Sequence, residues 1–306
     1  MFIEQAFKGN NTWWRVLITV LICAGIFIVN FVTYLFMSKE QLNQAYEMLD
    51  DVPKNLALAI NLIPFAFLLG LLFMMVYFLQ NRNIISLTTA RPKIDFGRIL
   101  FSFGLVLIVS IFSFAVTYSM DSSFIVWNFD PINFTILLAL SLLLFPFQIG
   151  FEEYLFRGYL MQQIGIIAKN RWFPLLFTSL IFGLFHSANP EVDKMGYGIM
   201  VFYVGTGLLL GIMTLMDDSI ELALGFHLGN NLIAALLLTA DYSALQTDAL
   251  FKYTGEENSI SVLNEMMVSI LFTYPAFLYI LSKKYHWTNW KERLTGKISA
   301  GYNPNV

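Results

Sequence analysis

Charged side chains are scarce in this sequence. Asp, Glu, Lys and Arg make up 13% of its 306 residues, whereas a soluble globular chain carries about 25%. Apolar residues make up 57%, and a water-soluble fold could not hide that much apolar surface. The net charge is −3, and Lys and Arg occur in short clusters without an extended basic face. This distribution excludes nucleic acid as a partner.

Cysteine and histidine are scarce as well. Cys23 is the only cysteine, so no internal disulfide can form and the fold depends on no covalent cross-link. The three histidines are His186, His227 and His286. Two of them, His186 and His227, lie within apolar runs, where a titratable side chain is unusual.

Long apolar runs dominate what remains. A hydrocarbon core of about 30 Å needs roughly 20 helical residues, and runs this long without polar alternation exclude a closed β-barrel. No linker interrupts the pattern, so residues 1–306 are predicted to form a single integral membrane domain. The sequence predicts an all-α, polytopic bundle of about eight transmembrane helices, at about 16–37, 56–79, 98–119, 133–151, 172–188, 196–216, 219–240 and 262–282.

The positions of Lys and Arg predict the orientation. They concentrate before span one, between spans two and three, after span four and after span eight, and such regions lie on the cytoplasmic side. We therefore predict a multi-pass protein of the cell membrane with both termini cytoplasmic. Asp217 and Asp218, also placed inside but without a nearby cation, are predicted to form a solvated turn. The remaining loops are acidic or poor in cations and include Glu47, Asp50, Asp51, Asp121, Asp130, Glu191, Asp193, Asp248, Glu256 and Glu257.

Two adjacent carboxylates and an arginine mark the end of span four. On a helix, Glu153 and Arg157 share a face and can pair, whereas Glu152 points about 100° away. A charge at membrane depth costs about 2.5 to 3.5 kcal/mol, so it requires a partner or a function. A solvated span end would explain these three residues equally well, and this motif alone does not decide between the two interpretations.

Two further helical pairs favour a function. His186 follows Phe182 by one turn, and His227 shares a face with Asn231. Either histidine alone is well explained as a hydrogen-bonding residue between helices. Together with the carboxylates they indicate peptide-bond hydrolysis, because a glutamate and a histidine can take a proton from water, and a histidine and an amide can stabilise an oxyanion.

The motifs E-E-x-x-x-R at 152–157, F-x-x-x-H at 182–186 and H-x-x-x-N at 227–231 resemble those of the CPBP family. That family comprises type II CAAX prenyl endopeptidases, Abi proteins, and bacteriocin-processing and immunity proteins. The resemblance covers roughly residues 133–240, the predicted catalytic core. It implies that the catalytic residues are Glu152, His186, His227 and Asn231, and that Glu153, Arg157 and Phe182 orient them.

The resemblance implies an intramembrane endopeptidase that cuts a membrane-associated peptide or a prenylated or lipidated substrate in the lipid bilayer. Glu152 and His186 would activate water, and His227 and Asn231 would form the oxyanion hole. Zinc could be held by Glu152, His186 and His227. Because no H-E-x-x-H helix fixes such a site, direct catalysis without a metal is favoured. The alternative is a non-catalytic scaffold or bacteriocin-immunity protein of the same fold that binds a sensor or an exporter.

Straight spans would separate the site residues in depth. Glu152 would lie near the cytoplasmic face, His227 about eight residues from it and His186 about fourteen, or roughly 21 Å. They can meet if the helix of Glu152 continues through Arg157, or if span five begins in an extension around Arg171. Since a base needs water, we expect them to converge in a cavity open toward the cytoplasm.

Overall fold

The computed structural model describes residues 1–42, 44, 52–255 and 266–298. Over these residues the protein is an all-α bundle with one small sheet, which confirms the predicted fold class. A helix lies at each of the eight predicted spans. Helices of at least eight residues, numbered in chain order, are α1 (Trp13–Phe36), α2 (Lys54–Met74), α3 (Phe96–Met120), α4 (Pro131–Glu153), α5 (Met161–Ala168), α6 (Trp172–Leu184), α7 (Met200–Asp217), α8 (Glu221–Leu236) and α9 (Tyr274–Lys284).

Shorter helical segments extend or connect these helices. The π-helical turns, which follow α2, join α4 to α5 and precede α9, are Met75–Leu79, Tyr154–Leu160 and Ser269–Thr273. The 3-10 turns are Ile3–Lys8 and Tyr197–Ile199. The short α-helices are Ile85–Thr88, Pro190–Met195 and Trp290–Thr295.

By length and composition, six described helices can cross a membrane, and the chain is a multi-pass membrane protein. The other two predicted spans, α6 and α8, have 13 and 16 residues, fewer than the roughly 20 that a span needs. The six long helices are Trp13–Phe36, Lys54–Leu79, Phe96–Met120, Pro131–Ala168, Tyr197–Asp217 and Met266–Lys284.

Part of the sequence interpretation lies outside the described residues. The predicted positions that fall outside them are Glu47, Asp50, Asp51, Glu256, Glu257 and the start of span eight, 262–265. The prediction that residues 1–306 form one domain stays a prediction.

The fourth predicted span ends too early, at residue 151. The side chain of Asp130 caps α4, and Pro131 occupies the first turn, where its missing N–H is not needed. The helix then continues through the π-helical turn into α5, for 38 residues in all. Glu152 therefore lies about 16 residues before Ala168, roughly 24 Å inside the bundle. His186, 15 residues beyond Arg171 at the start of α6, reaches a similar depth.

The first and last described segments, residues 1–8 and 290–298, pack against one end of the bundle, which we call the terminal face. The N-terminal 3-10 turn lies against α5, and Glu4 pairs with Arg171 at 2.6 Å. The backbone N–H of Ile298 donates a hydrogen bond to the loop between α5 and α6. The turn after α7 belongs to the same end, because the N–H of Phe2 donates to Asp218 Oδ1 at 2.9 Å.

Asp217, predicted to lie in a solvated turn, is instead buried, with 6% of its surface exposed. Its carboxylate pairs with Arg91 at 3.1 Å and with Arg98, and Glu221 also pairs with Arg91. The expectation was wrong because Arg91 comes from the α2–α3 loop and Arg98 from the first turn of α3, both far away in the sequence. They also supply the positive charge that the turn itself lacks.

We expect Asp217→Asn to lower the free energy of unfolding by about 1 to 3 kcal/mol, because it leaves the partly buried Arg91 and Arg98 short of an acceptor. Thermal unfolding of the detergent-purified protein measures this. The matched control is Asp193→Asn, at an exposed position, which should keep the wild-type midpoint. Equal midpoints for the two variants would contradict a stabilising role of the network.

The opposite end of the bundle carries three short strands, β1 (Ile125–Trp127), β2 (Leu238–Ala240) and β3 (Phe251–Tyr253). Their order is β1-β3-β2, with β1 antiparallel and β2 parallel to β3. Thr247 donates a hydrogen bond to the carbonyl of Ala235 at 2.6 Å. The sheet and this bond hold the segment after α8 against the end of that helix.

Candidate active site

Glu152 and Glu153, at the end of α4, point in different directions. Glu153 Oε1 accepts a hydrogen bond from Arg157 Nη1 at 2.8 Å, and both side chains are fully buried. Arg157 lies in the π-helical turn and also donates to the carbonyl of Gly207 at 3.2 Å. The ion pair predicted from the four-residue spacing is therefore present, and it lies inside the protein and not at a solvated span end.

His227 of α8 lies between the two carboxylates. Its Nδ1 is 2.8 Å from Glu153 Oε1, and its Nε2 is 3.7 Å from Glu152 Oε2. Because Arg157 holds Glu153 as a carboxylate, which only accepts hydrogen bonds, Nδ1 of His227 carries a proton. Arg157 and Glu153 thus orient the imidazole so that Nε2 points at Glu152.

Gln148 connects Glu152 to Asn231. Its Nε2 donates to Glu152 Oε1 at 3.2 Å, and its Oε1 accepts from Asn231 Nδ2 at 3.4 Å. Glu152 Oε2 is enclosed and has no hydrogen-bond partner among the described residues. The sequence interpretation gave Gln148 no role in the site. The available signal was its position four residues before Glu152, on the same helix face.

His186 follows the end of α6. Its Nδ1 lies 2.7 Å from the carbonyl oxygen of Phe182, so Nδ1 carries the proton and Nε2 is left as an acceptor. The imidazole lies between the rings of Phe182 and Tyr203, with centroid distances of 4.7 and 4.6 Å. Phe182 also contacts the ring of His227 and the guanidinium of Arg157. No sequence motif pointed to Tyr203.

All four candidate catalytic side chains line one cavity of about 380 Å³. Helices α4, α7 and α8 and the segment after α6 supply its polar wall. Its apolar wall comes from a cluster of aromatic rings, Phe27, Phe65, Phe151 and Phe185. The space suits a short stretch of peptide with an apolar side chain, held beside an acid–base pair.

The cavity opens at the end of the bundle opposite the terminal face. Outside the long helices, its lining comes mainly from segments 185–191 and 243–245. The first follows the end of α6 and the second follows α8, and both helices begin at the terminal face. The expected opening toward the cytoplasm stays a prediction. In the structure, α5 and the N-terminal turn lie between Glu152 and the terminal face.

A zinc site was the open alternative for Glu152, His186 and His227. Among the described residues, no group of three or more His, Cys, Asp or Glu side chains is arranged to hold a metal ion. The ring of His227 is oriented by Glu153, and that of His186 by the carbonyl of Phe182. The side chains as placed therefore do not fit a three-ligand site.

Comparison with known proteins agrees with this site. Residues 131–233, which include all three motifs, match the family model of type II CAAX prenyl endopeptidase Rce1-like. The uncharacterized protein YyaK of Bacillus subtilis (strain 168) is 28% identical over 286 residues, which cover 89% of this chain and 94% of YyaK. No solved structure gives a significant match. Residues 131–233 are therefore similar to the Rce1-like family of type II CAAX prenyl endopeptidases.

Proposed function

We propose that this protein is an intramembrane endopeptidase in which Glu152 activates the attacking water. One observation carries the proposal. The unpaired Glu152 Oε2 lies 3.7 Å from Nε2 of a histidine whose other nitrogen is held by a buried carboxylate. A carboxylate base and the Nε2 of an oriented histidine thus face each other in a cavity beside an amide.

The reaction follows from these positions. Glu152 Oε2 takes one proton from water while the Nε2 of His186 accepts a hydrogen bond from the O–H that remains, and the water oxygen attacks the peptide carbonyl carbon. The resulting oxyanion accepts hydrogen bonds from Asn231 Nδ2 and, when both nitrogens of His227 carry protons, from His227 Nε2. Glu152 then gives its proton to the leaving amine as the C–N bond breaks. No step requires a metal.

The aromatic wall favours a substrate with an apolar or lipidated residue near the cleaved bond. We further propose that the substrate is a membrane-associated peptide and that both termini of the protein are cytoplasmic. The maturation of a peptide that is then exported would need such an activity. The processing of a bacteriocin, or the role of an Abi protein, would need it as well.

Comparing membrane peptides from cells that produce wild-type protein or His186→Ala tests the proposal and reveals the substrate. New peptide ends should appear with the wild type and fall by about 10² to 10⁴ with the variant, since proton transfer loses one of its partners. Equal amounts of both chains in the membrane are required. Identical peptide ends would favour the non-catalytic scaffold or immunity protein.

A further inference from the structure

Gln148 is a polar side chain of α4 that lies one helical turn before Glu152 and lines the cavity. The preceding residue, Phe147, is exposed, whereas Ile149 is buried, so Gln148 belongs to the inward side of the helix. An amide removed from water costs free energy unless its polar atoms are bonded. Both ends of this amide are bonded, the nitrogen to Glu152 and the oxygen to Asn231. One side chain therefore contacts both the candidate base and the candidate oxyanion donor.

The two hydrogen bonds of Gln148 determine which way the Asn231 amide is turned. A carboxylate only accepts hydrogen bonds, so Gln148 must direct its NH2 group toward Glu152. Its carbonyl oxygen then faces Asn231 and can accept only from the Nδ2 of that residue, at 3.4 Å. Nδ2 carries two hydrogens, and the second is left for an oxyanion. With the amide turned the other way, Asn231 would present an oxygen to the developing negative charge.

The bond from Gln148 also selects the oxygen of Glu152 that acts as the base. Gln148 Nε2 donates to Oε1 at 3.2 Å. Oε2 is left without a hydrogen-bond partner among the described residues, 3.7 Å from Nε2 of His227. Because the proton from water goes to Oε2, the bond at Oε1 can persist while the proton is transferred. Gln148 thus orients Glu152 from one side, as Glu153 orients His227 from the other.

We propose that Gln148 is a positioning residue, which directs Oε2 of Glu152 toward the attacking water and Nδ2 of Asn231 toward the oxyanion. The role in turnover rests on the proposed function, whereas the two contacts exist without a substrate and can be measured without hydrolysis. A base and an oxyanion donor act in the transition state, so the loss of their orientation lowers kcat and leaves KM nearly unchanged.

Gln148→Met tests the role in turnover, because it keeps the length of the side chain and removes both hydrogen bonds. With the peptide identified in cells, kcat should fall about 10- to 100-fold, the effect of losing one hydrogen bond to a charged group and one to a neutral group. Gln41→Met, the same change at an exposed position, should retain both constants. In an Asn231→Ala chain, Gln148→Met should lower kcat by a clearly smaller factor, because the amide that it orients is gone.

The outcomes of this experiment separate the two proposals. A wild-type chain that cleaves no peptide would overturn the proposed function. Cleavage by the wild type that Gln148→Met leaves unchanged would overturn only the role of Gln148, as would an effect on KM alone or equal factors with and without Asn231. If Gln148→Met does not reach the membrane, Gln148→Glu takes its place. It keeps an acceptor for Asn231 but no longer donates to Glu152, so wild-type kcat in this variant would contradict the proposal.

The contact between Gln148 and Asn231 can be measured separately by thermal unfolding of the detergent-purified protein. The set comprises the wild type, Gln148→Met, Asn231→Ala and the chain with both substitutions. Either single substitution breaks the same hydrogen bond, so the decrease in the midpoint of the double variant should be smaller than the sum of the two single decreases. Additive decreases would show that the two side chains do not interact and would overturn the proposal. This result does not depend on peptidase activity.

Discussion

Glu152→Gln should reduce turnover of the cleaved peptide by about 10² to 10⁴ and leave the protein folded in the membrane. The amide keeps the size of the side chain and can still accept a hydrogen bond from Gln148. What it loses is the basic Oε2 that faces His227. Single-turnover cleavage of the peptide identified in cells, at matched amounts of protein, measures the loss.

Glu40→Gln is the matched control, because it makes the same chemical change at an exposed position outside the site. It should retain wild-type turnover and abundance. Glu152→Gln protein that keeps its wild-type rate would rule out Glu152 as the base. The polar cluster would then serve packing alone, and a non-catalytic scaffold would be the better explanation of the site.

Helical spacing predicted the local part of the site well. The four-residue interval from Glu153 to Arg157 was enough to predict their ion pair, and the interval from His227 to Asn231 placed both on one face of α8. These predictions depended only on the spacing of residues along one helix, which fixes the residues that share a face. The apolar runs likewise predicted a helix at each of the eight places.

The sequence could not reveal how far a helix continues. Residues 152–157 carry three charges and resemble the end of a span, yet Arg157 finds its partners Glu153 and the Gly207 carbonyl inside the bundle. Because those charges are paired inside the bundle, the helix can continue past them and ends at Ala168. The depth of Glu152 in the bundle depends on this continuation, so the predicted spans placed Glu152 too close to the end of a helix.

Contacts between distant segments were also beyond a local analysis. Tyr203 of α7 stacks on His186, which follows α6, and Asp217 pairs with Arg91 of the α2–α3 loop and Arg98 of α3. Neither has a partner within one helical turn that would have indicated its role. Such residues are recognisable only when the packing of the helices is known.

Glu153→Gln should have the largest effect on stability, lowering the free energy of unfolding by about 3 to 5 kcal/mol. Glu153 and Arg157 are both fully buried, so the variant removes the carboxylate that pairs with the guanidinium, whose other neighbours include the Gly207 carbonyl and the rings of Phe156 and Phe182. Abundance in the membrane and the unfolding midpoint in detergent should both fall well below those of Glu40→Gln. A wild-type midpoint would mean that the buried charge is solvated by other means.

Combining Glu153→Gln with Arg157→Met separates folding from orientation of the site. Replacing both members of a buried ion pair by uncharged groups is often nearly neutral for stability, so the double variant should recover most of the lost midpoint. It should stay inactive, because no carboxylate then holds Nδ1 of His227 and Nε2 is no longer directed at Glu152. A double variant that is both stable and active would show that the pair serves only the fold, and that His227 is positioned by its packing against Phe182.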